Sequence, residues 1–167
     1  MYRLVLPLAL IVAAPVCAQV KLGIVDLQKA ILGTAEIKKA QSDLEAKFKP
    51  RQDAAAKLDR ELQSIQQQLQ TMAGKLTPQA EADLQAQGAR KQRDLQRLTE
   101  DLQADVDRER NDILQKAGRQ MTEVLKKLAE SKGLDVVLDR ATTLYAKDAL
   151  EVTTDAIAAY DAAHPAK

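Results

Sequence analysis

The stretch that decides the fold is residues 55–78, which read AAKLDRELQSIQQQLQTMAGKLTP. Its apolar side chains recur at alternating intervals of three and four residues: Ala55, Leu58, Leu62, Ile65, Leu69, Met72 and Leu76. This heptad spacing puts one narrow apolar stripe on a helix and predicts that the stripe packs against a partner helix. Upstream, the same period continues but joins the stripe with a slip, at Ile37, Ala40, Leu44 and Phe48.

The end of this stretch carries the signals of a sharp turn near residues 73–78. Gly74 can take the left-handed conformation that follows a helix. Thr77 is suited to cap the next helix, Pro78 fits its first position, and Glu81 suits the positive first turn. Stop and start signals this close together predict two antiparallel helices rather than one rod.

The second helix carries a thinner apolar stripe, because Gly88 and Lys91 stand where apolar residues are expected. Gly88 and Gly118 each cost about 1 kcal/mol relative to Ala in a helix. In the first helix, Pro50 removes a backbone donor and predicts a kink. Two interpretations stay open: tolerated irregularity, or an arm that can flex and open.

The two helices span residues 35–132, and their length predicts an arm. At about 1.5 Å rise per residue, helices of roughly 40 and 50 residues reach about 60 and 80 Å, far beyond the width of a compact domain of this size. Aromatic residues make up only 2% of the chain and charged residues 29%. That composition is typical of long helices and coiled coils.

Short apolar segments flank the arm on both sides. Val20–Asp26 is rich in β-branched residues and predicts a strand, as does Leu134–Asp139. Thr142–Ala146 predicts another strand that forms a hairpin with the one before it. Thr153 is expected to cap a final helix.

Residues 19–34 and 133–167 therefore predict a small body, with Tyr145 and Tyr160 packed inside it. The predicted fold class is mainly α with a small β body, from which a long antiparallel helical hairpin projects. A base of about three short strands is too small to bury a stable core alone and leaves sheet edges unpaired. We therefore expect a symmetric homo-oligomer with its arms projecting the same way.

The first 18 residues have the pattern of a secretory signal. Arg3 is basic, residues 4–14 form an apolar run too short to span a bilayer, and small residues precede a cut expected after Ala18. A lipoprotein site at Cys17 is the alternative, although Val16 is a poor residue before such a cysteine. Cleavage after Ala18 would remove the only cysteine and leave no disulfide.

The charges of the chain nearly balance, with 25 Lys and Arg against 24 Asp and Glu. Loss of Arg3 with the signal would leave 24 of each, which argues against a general binder of nucleic acid or other polyanions. One local excess is a basic patch that could bind an anion weakly, formed by Arg90, Lys91, Arg93 and Arg97. A solvated helix face is the alternative interpretation.

Nothing in the sequence predicts an enzyme. The sequence has no phosphate-cradling glycine-rich loop, and its single histidine, His164, lies in the tail beside a proline. The carboxylates alternate with Lys and Arg at helical spacing, which is typical of solvated faces rather than of converging metal ligands. No nucleophile with a paired base is found, so no cofactor and no metal are expected.

Several motifs, in their order along the chain, resemble the Skp/OmpH family of periplasmic chaperones. They are KLGIVD at 21–26, LEAKFK at 44–49, the run from Leu62 to Met72, LDVVLD at 134–139 and EVTTDAI at 151–157. With the signal sequence and the hairpin included, the resemblance extends over nearly the whole mature chain. The resemblance implies a jellyfish-shaped homotrimer, with a strand-built body and three helical arms around a cavity.

The resemblance also implies an ATP-independent holdase, which keeps unfolded outer-membrane β-barrel proteins from aggregating in the periplasm. Clients would be bound by the inner faces of the arms within residues 35–132, at residues that the sequence does not identify. Family members are often strongly basic, and this mature chain is neutral, which makes contact with lipopolysaccharide or anionic membranes doubtful. The alternative function is a structural or adaptor coiled coil of the cell envelope.

Overall fold

A computed structural model describes residues 20–166, so the predicted signal sequence and its cleavage site lie outside the described residues. Two strands and four helices follow one another along the chain. They are β1 (Leu22–Val25), α1 (Leu27–Gly33), α2 (Ala35–Thr71), α3 (Pro78–Lys132), β2 (Val136–Asp139) and α4 (Thr153–Ala163). The mainly helical fold with a long hairpin is confirmed.

Both long helices begin at threonine caps, and the turn between them has the predicted chemistry. The hydroxyl of Thr34 accepts a hydrogen bond from the Ile37 amide at 3.3 Å, and that of Thr77 accepts one from Ala80 at 3.2 Å. Gly74 has a φ of 74°, which only glycine adopts without strain. Chain reversal at the predicted turn therefore follows from a few local side chains.

The two helices of the arm differ in length, and this difference joins the arm to the body. Helix α2 has 37 residues and α3 has 55, or about 55 and 80 Å at 1.5 Å per residue. The C-terminal part of α3 contributes Met121 and Val124 to the core of the body. Helix α3 thus belongs to both arm and body, with no linker between them.

The irregular positions of the arm have specific surroundings. Helix α2 continues without a break through Pro50, which is exposed, so water can reach the carbonyl that the missing amide leaves unpaired. Gly88 is buried, and a Cβ built there would lie 3.4 Å from Cγ2 of Ile65 on α2. The gap in the apolar stripe at Gly88 is therefore where the two helices approach closely.

The body contains one small parallel sheet. Strands β1 and β2 pair in register from Leu22 opposite Val136 to Val25 opposite Asp139. Parallel strands need a long crossover, and here the entire arm supplies it. A single bridge between Ile24 and Glu151 adds a third segment on the other side of β1.

The predicted hairpin strand at Thr142–Ala146 is wrong. Residues Arg140–Thr142 form a short 3-10 turn instead, and residues 143–147 have no regular structure. Asp139 directs this turn: its carboxylate accepts from the Ala141 amide, and its carbonyl accepts from the hydroxyls of Thr142 and Thr143. These local hydrogen bonds turn the chain away before a second strand can form.

Two further expectations for the body need correction. Tyr145 does not pack inside; 81% of its surface is exposed in the single chain. Thr153 does not cap α4, because the cap position is Val152. The buried hydroxyl of Thr153 instead accepts from the amide of Asp26 at 3.0 Å and so connects the start of α4 to the end of β1.

The core lies where α1, α3, α4 and the sheet meet the root of the arm. Tyr160 on α4 is fully buried, as predicted, and belongs to the apolar cluster that these elements form together. The other buried members of this cluster are Val25, Ala30, Ile37, Ala117, Met121, Val124, Val152 and Ala156. Ile37 belongs to α2, so the core fixes the root of both arm helices.

Candidate functional site

The arm exposes little apolar surface of its own. Its leucines at the stripe positions are half-buried between α2 and α3, and Ile65 is buried. Among the large apolar side chains of the described arm, only Met72 near the tip counts as exposed, with 43% of its surface in contact with solvent. Any apolar contact along the arm must therefore use the edges of the stripe or a groove between the helices.

Four ion pairs connect α2 to α3 among the described residues: one, between Lys116 and Glu36, lies at the root of the arm, and the other three lie farther out. The outer three join Lys47 to Glu109, Arg51 to Asp105 at 2.6 Å, and Glu61 to Lys91 at 2.5 Å. The hydrogen bond from Arg51 is the main cause that lowers the pKa of Asp105, and the bond from Lys91 does the same to the pKa of Glu61. Such solvent-exposed pairs contribute little to stability, so their main effect is on the alignment of the two helices.

The predicted basic patch is only partly available to a ligand. Lys91 is half-buried and directed to Glu61 of the opposite helix, as described above. Arg90, Arg93 and Arg97 are exposed on α3, at a spacing that places them on one helix face. An anion site here would consist of these three arginines, and it stays a prediction.

Phe48, the only phenylalanine of the chain, is buried at the root of the arm. The cationic groups of Lys47 and Arg51 lie 5.6 and 5.9 Å from the centre of its ring. Both cations are also paired with carboxylates of α3, which fixes them over the ring. Two paired cations thus lie close to the ring of Phe48.

Beside Phe48 lies a cavity of about 330 Å³ that we call the root groove. It is open to solvent and runs between α2 and α3 from Leu32 on α1 to Gln52 on α2. Besides Leu32, the apolar residues that line it are Ile37, Ala40, Leu44, Phe48, Val106, Ile113 and Leu114. Its polar rim is formed by Gln41, Glu45, Gln52 and Arg110.

A polar joint connects α4 to the arm on the side of Tyr160. The Tyr160 hydroxyl donates to Glu36 at 2.6 Å and lies 2.9 Å from the Gln120 side-chain oxygen. Lys116 donates to the other oxygen of Glu36 at 3.0 Å. The bond from Tyr160 is the main cause that lowers the pKa of Glu36, while burial and the neighbouring carboxylate raise the pKa of Tyr160.

The sheet exposes an apolar surface on the side that faces away from the core. Side chains alternate along a strand, and Val25 and Val137 point into the core. The opposite side and the adjoining loop carry exposed residues that we call the sheet face: Val20, Leu22, Val136, Leu138, Leu144 and Tyr145. Such a concentration of exposed large apolar side chains marks an interaction surface.

Within residues 20–166, no cluster of three or more His, Cys, Asp and Glu residues has the arrangement of a metal site. His164 lies against Tyr160, with ring centres 4.9 Å apart, and its Nδ1 is 3.3 Å from the Gln120 amide nitrogen.

None of the helices within residues 20–166 is long and apolar enough to cross a bilayer.

Sequence reasoning missed the root groove and the sheet face. The groove depends on how α2 and α3 separate near Phe48, which the periodicity of either helix alone does not reveal. The slip in the apolar period between Phe48 and Ala55 was the available signal, because a slip changes how two helices pack. The sheet face was hidden by the wrong strand at Thr142–Ala146.

Comparison with known proteins agrees with this architecture. A sequence model of the family described as "Outer membrane protein (OmpH-like)" matches residues 21–160. No curated protein sequence matches the chain. A crystal structure of an OmpH-like protein from Caulobacter crescentus CB15, a candidate outer membrane chaperone, superimposes with a TM-score of 0.73 at 17% identity, over 90% of this chain and 89% of that one. The family match covers most of the chain, and the protein belongs to the OmpH-like family.

Proposed function

We propose that this protein is an ATP-independent periplasmic holdase for unfolded outer-membrane β-barrel proteins. Family membership over residues 21–160 is the observation that carries the proposal, and the likeness in fold to the Caulobacter protein agrees with it. The mature protein begins after a signal sequence cleaved behind Ala18 and works as a soluble protein between the two membranes.

The shape of the arm suits such a role. The hairpin, whose shorter helix is about 55 Å long, gives surface along its full length, while its polar faces keep a complex with an unfolded chain in solution. Contacts at half-buried leucines and at the root groove are weak one by one. Several arms acting on one client add these contacts, and such linkage raises the overall affinity well beyond that of any single contact.

Self-association through the sheet face completes the proposed assembly. Strand β2 pairs with β1 on one side only among the described residues, so its other edge can accept a strand from a second copy. Burial of Leu138, Leu144 and Tyr145 between copies would remove the largest exposed apolar side chains from water. We propose a homotrimer, the state implied by the family resemblance, with arms around a common cavity.

Client release needs no fuel in this scheme. Each contact is weak, and the folded β-barrel gains far more by inserting into the outer membrane than the unfolded chain gains from the arms. While bound, the unfolded chain cannot pair its strand edges with another unfolded chain, which suppresses aggregation.

A light-scattering experiment tests the proposal. A denatured β-barrel protein is diluted from urea with and without an equimolar amount of the assembled protein, counted as trimer. We expect the protein to suppress scattering by the client strongly, and we expect added ATP not to change this suppression. Unchanged scattering would contradict it and favour the adaptor function, in which a folded envelope protein binds with defined stoichiometry.

The intact mass of the secreted form tests whether Cys17 is retained and carries a lipid.

A further inference from the structure

The root groove is an apolar concavity on an arm whose described large apolar side chains are otherwise buried or half-buried, apart from Met72. Its volume of about 330 Å³ is roughly twice the ~150 Å³ in which a buried apolar cavity binds one benzene molecule. It therefore has room for about two large side chains. Its walls come from both arm helices and from α1, and they include the ring of Phe48.

The rim of the groove carries both signs of charge and neutral amides. Glu45 lies on the α2 side and Arg110 on the α3 side, and both are exposed. Neither pairs with an opposite charge within residues 20–166, although nearby Lys47 and Arg51 both do. Gln41 and Gln52 add further donors and acceptors along the α2 side. A narrow apolar floor is thus bordered by unpaired donors and acceptors.

An extended polypeptide has the complementary chemistry. Every second side chain of a strand points to the same side, about 7 Å apart, so two apolar side chains at i and i+2 can enter one groove. The backbone between them presents one donor and one acceptor per residue, which suits a rim that offers both. The intervening side chains point to solvent and can be polar.

We propose that the root groove binds extended segments of unfolded chains in which apolar side chains, including aromatic ones, alternate with polar residues. Two side chains of one face occupy the space between Phe48 and Ile113, and Glu45 and Arg110 contact the backbone. This alternation is the pattern of strands in membrane-spanning β-barrels. The inference rests on the proposed holdase function and specifies which part of a client the arm binds.

Peptide binding to the full mature protein tests the groove. Two fluorescent peptides of equal composition are compared: one alternates Phe or Leu with Ser or Thr, and the other collects the apolar residues in one block. The alternating peptide is expected to bind about tenfold more tightly, the effect of one additional side chain buried in an apolar site. Equal affinity for the two peptides would overturn the proposal.

A pair of variants locates the binding. Ala40→Phe places a ring in the groove, whereas Ala46→Phe places the same ring on an exposed position of α2 that does not line it. Ala40→Phe is expected to weaken binding of the alternating peptide about tenfold, and Ala46→Phe to leave it unchanged. Equal effects of the two variants would overturn the proposal.

Photo-crosslinking provides a measurement that does not depend on a filled groove. A photoreactive residue at Gln41, on the rim, is expected to capture the alternating peptide, and one at exposed Gln103 is not. Capture at both positions alike, or only at Gln103, would overturn the proposal. A change in the mass of the free protein in Ala40→Phe would also overturn the proposal, because it would show that a second copy of the chain occupies the groove in wild type. Displacement of the bound peptide by a fatty acid, at a lower concentration than the unlabelled peptide requires, would overturn it as well.

The aggregation assay on the same preparations separates the two proposals. If wild type and Ala40→Phe suppress client aggregation equally and the two peptides bind alike, the groove inference fails while the holdase function stands. If wild type neither suppresses aggregation nor binds the alternating peptide, both fail.

Discussion

At the scale of single residues, Tyr160 and Glu36 form the joint between the arm and the body. Tyr160 is fully buried, and its hydroxyl is directed to the carboxylate of Glu36 at the first turn of α2. Aromatic content and position predicted burial of Tyr160 but not its partner. Glu36 is 124 residues away in sequence, and a contact of that separation is set by the tertiary fold.

Removal of the Tyr160 hydroxyl gives the first prediction. Tyr160→Phe keeps the ring but deprives Glu36 of its strongest hydrogen bond, which should lower the free energy of unfolding by about 1.5–3 kcal/mol. Urea denaturation, monitored by circular dichroism, measures this change in the free energy of unfolding. The control is Thr99→Val, which removes an exposed hydroxyl from α3 and is expected within about 0.5 kcal/mol of wild type. Equal losses in both variants would contradict the role of the joint.

The lowered pKa of Glu36 predicts a dependence of stability on pH. The ordinary pKa of this carboxyl is 4.5, and its pKa in the folded protein is lower. Between the two values the unfolded chain binds more protons than the folded one. The contribution of Glu36 to the free energy of unfolding is therefore complete above pH 4.5. It is lost as the pH falls through the lower pKa that Glu36 has in the folded protein.

Glu36→Gln tests this dependence, because the amide does not titrate. The free energy of unfolding should fall less between about pH 6 and about pH 3.5 in this variant than in wild type. Glu130→Gln, at an exposed carboxylate of α3, serves as the control and should show the wild-type decline. The same decline in Glu36→Gln as in wild type would show that Glu36 makes no such contribution.

At the scale of elements, the sequence predicted the arm well because its signals are local. Heptad spacing defined the stripe, while Thr77, Pro78 and Gly74 marked the turn between the helices that the structure has. The body was predicted less well. Thr142–Ala146 has a suitable strand composition, but the turn around Asp139 competes with it, and β2 pairs with a strand 114 residues earlier.

Close packing at Gly88 gives a prediction for the arm as an element. A leucine at this buried position would have to push α3 away from Ile65, and overpacking of this kind costs about 1–3 kcal/mol. Ala89→Leu adds the same side chain at the exposed neighbouring position and should change stability by less than about 0.5 kcal/mol. Thermal unfolding compares the two variants. If Gly88→Leu is as stable as Ala89→Leu, the close approach of α3 to α2 at Gly88 does not limit the size of the residue there.

At the scale of the whole molecule, the sheet face is the surface that a single chain leaves unsatisfied. A stable assembly buries about 1,200–2,000 Å² in total at each interface, and in the proposed oligomer the exposed apolar side chains of the sheet face would form the centre of such an area. A charge in the middle of this surface should prevent association, because a buried unpaired carboxylate is strongly unfavourable.

Leu138→Asp and Tyr145→Asp are therefore expected to lower the mass of the protein in solution, as measured by size-exclusion chromatography with light scattering. Met72→Asp places the same charge on an exposed apolar residue at the far end of the arm and should leave the mass unchanged. An unaltered mass in the first two variants would exclude the sheet face as the interface.

The most direct test of the account is the mass of the mature protein in solution, free and after mixing with one unfolded β-barrel client. The account predicts a closed oligomer of three chains that gains the mass of one client without losing a chain. A stable monomer that leaves the client in aggregates would contradict it.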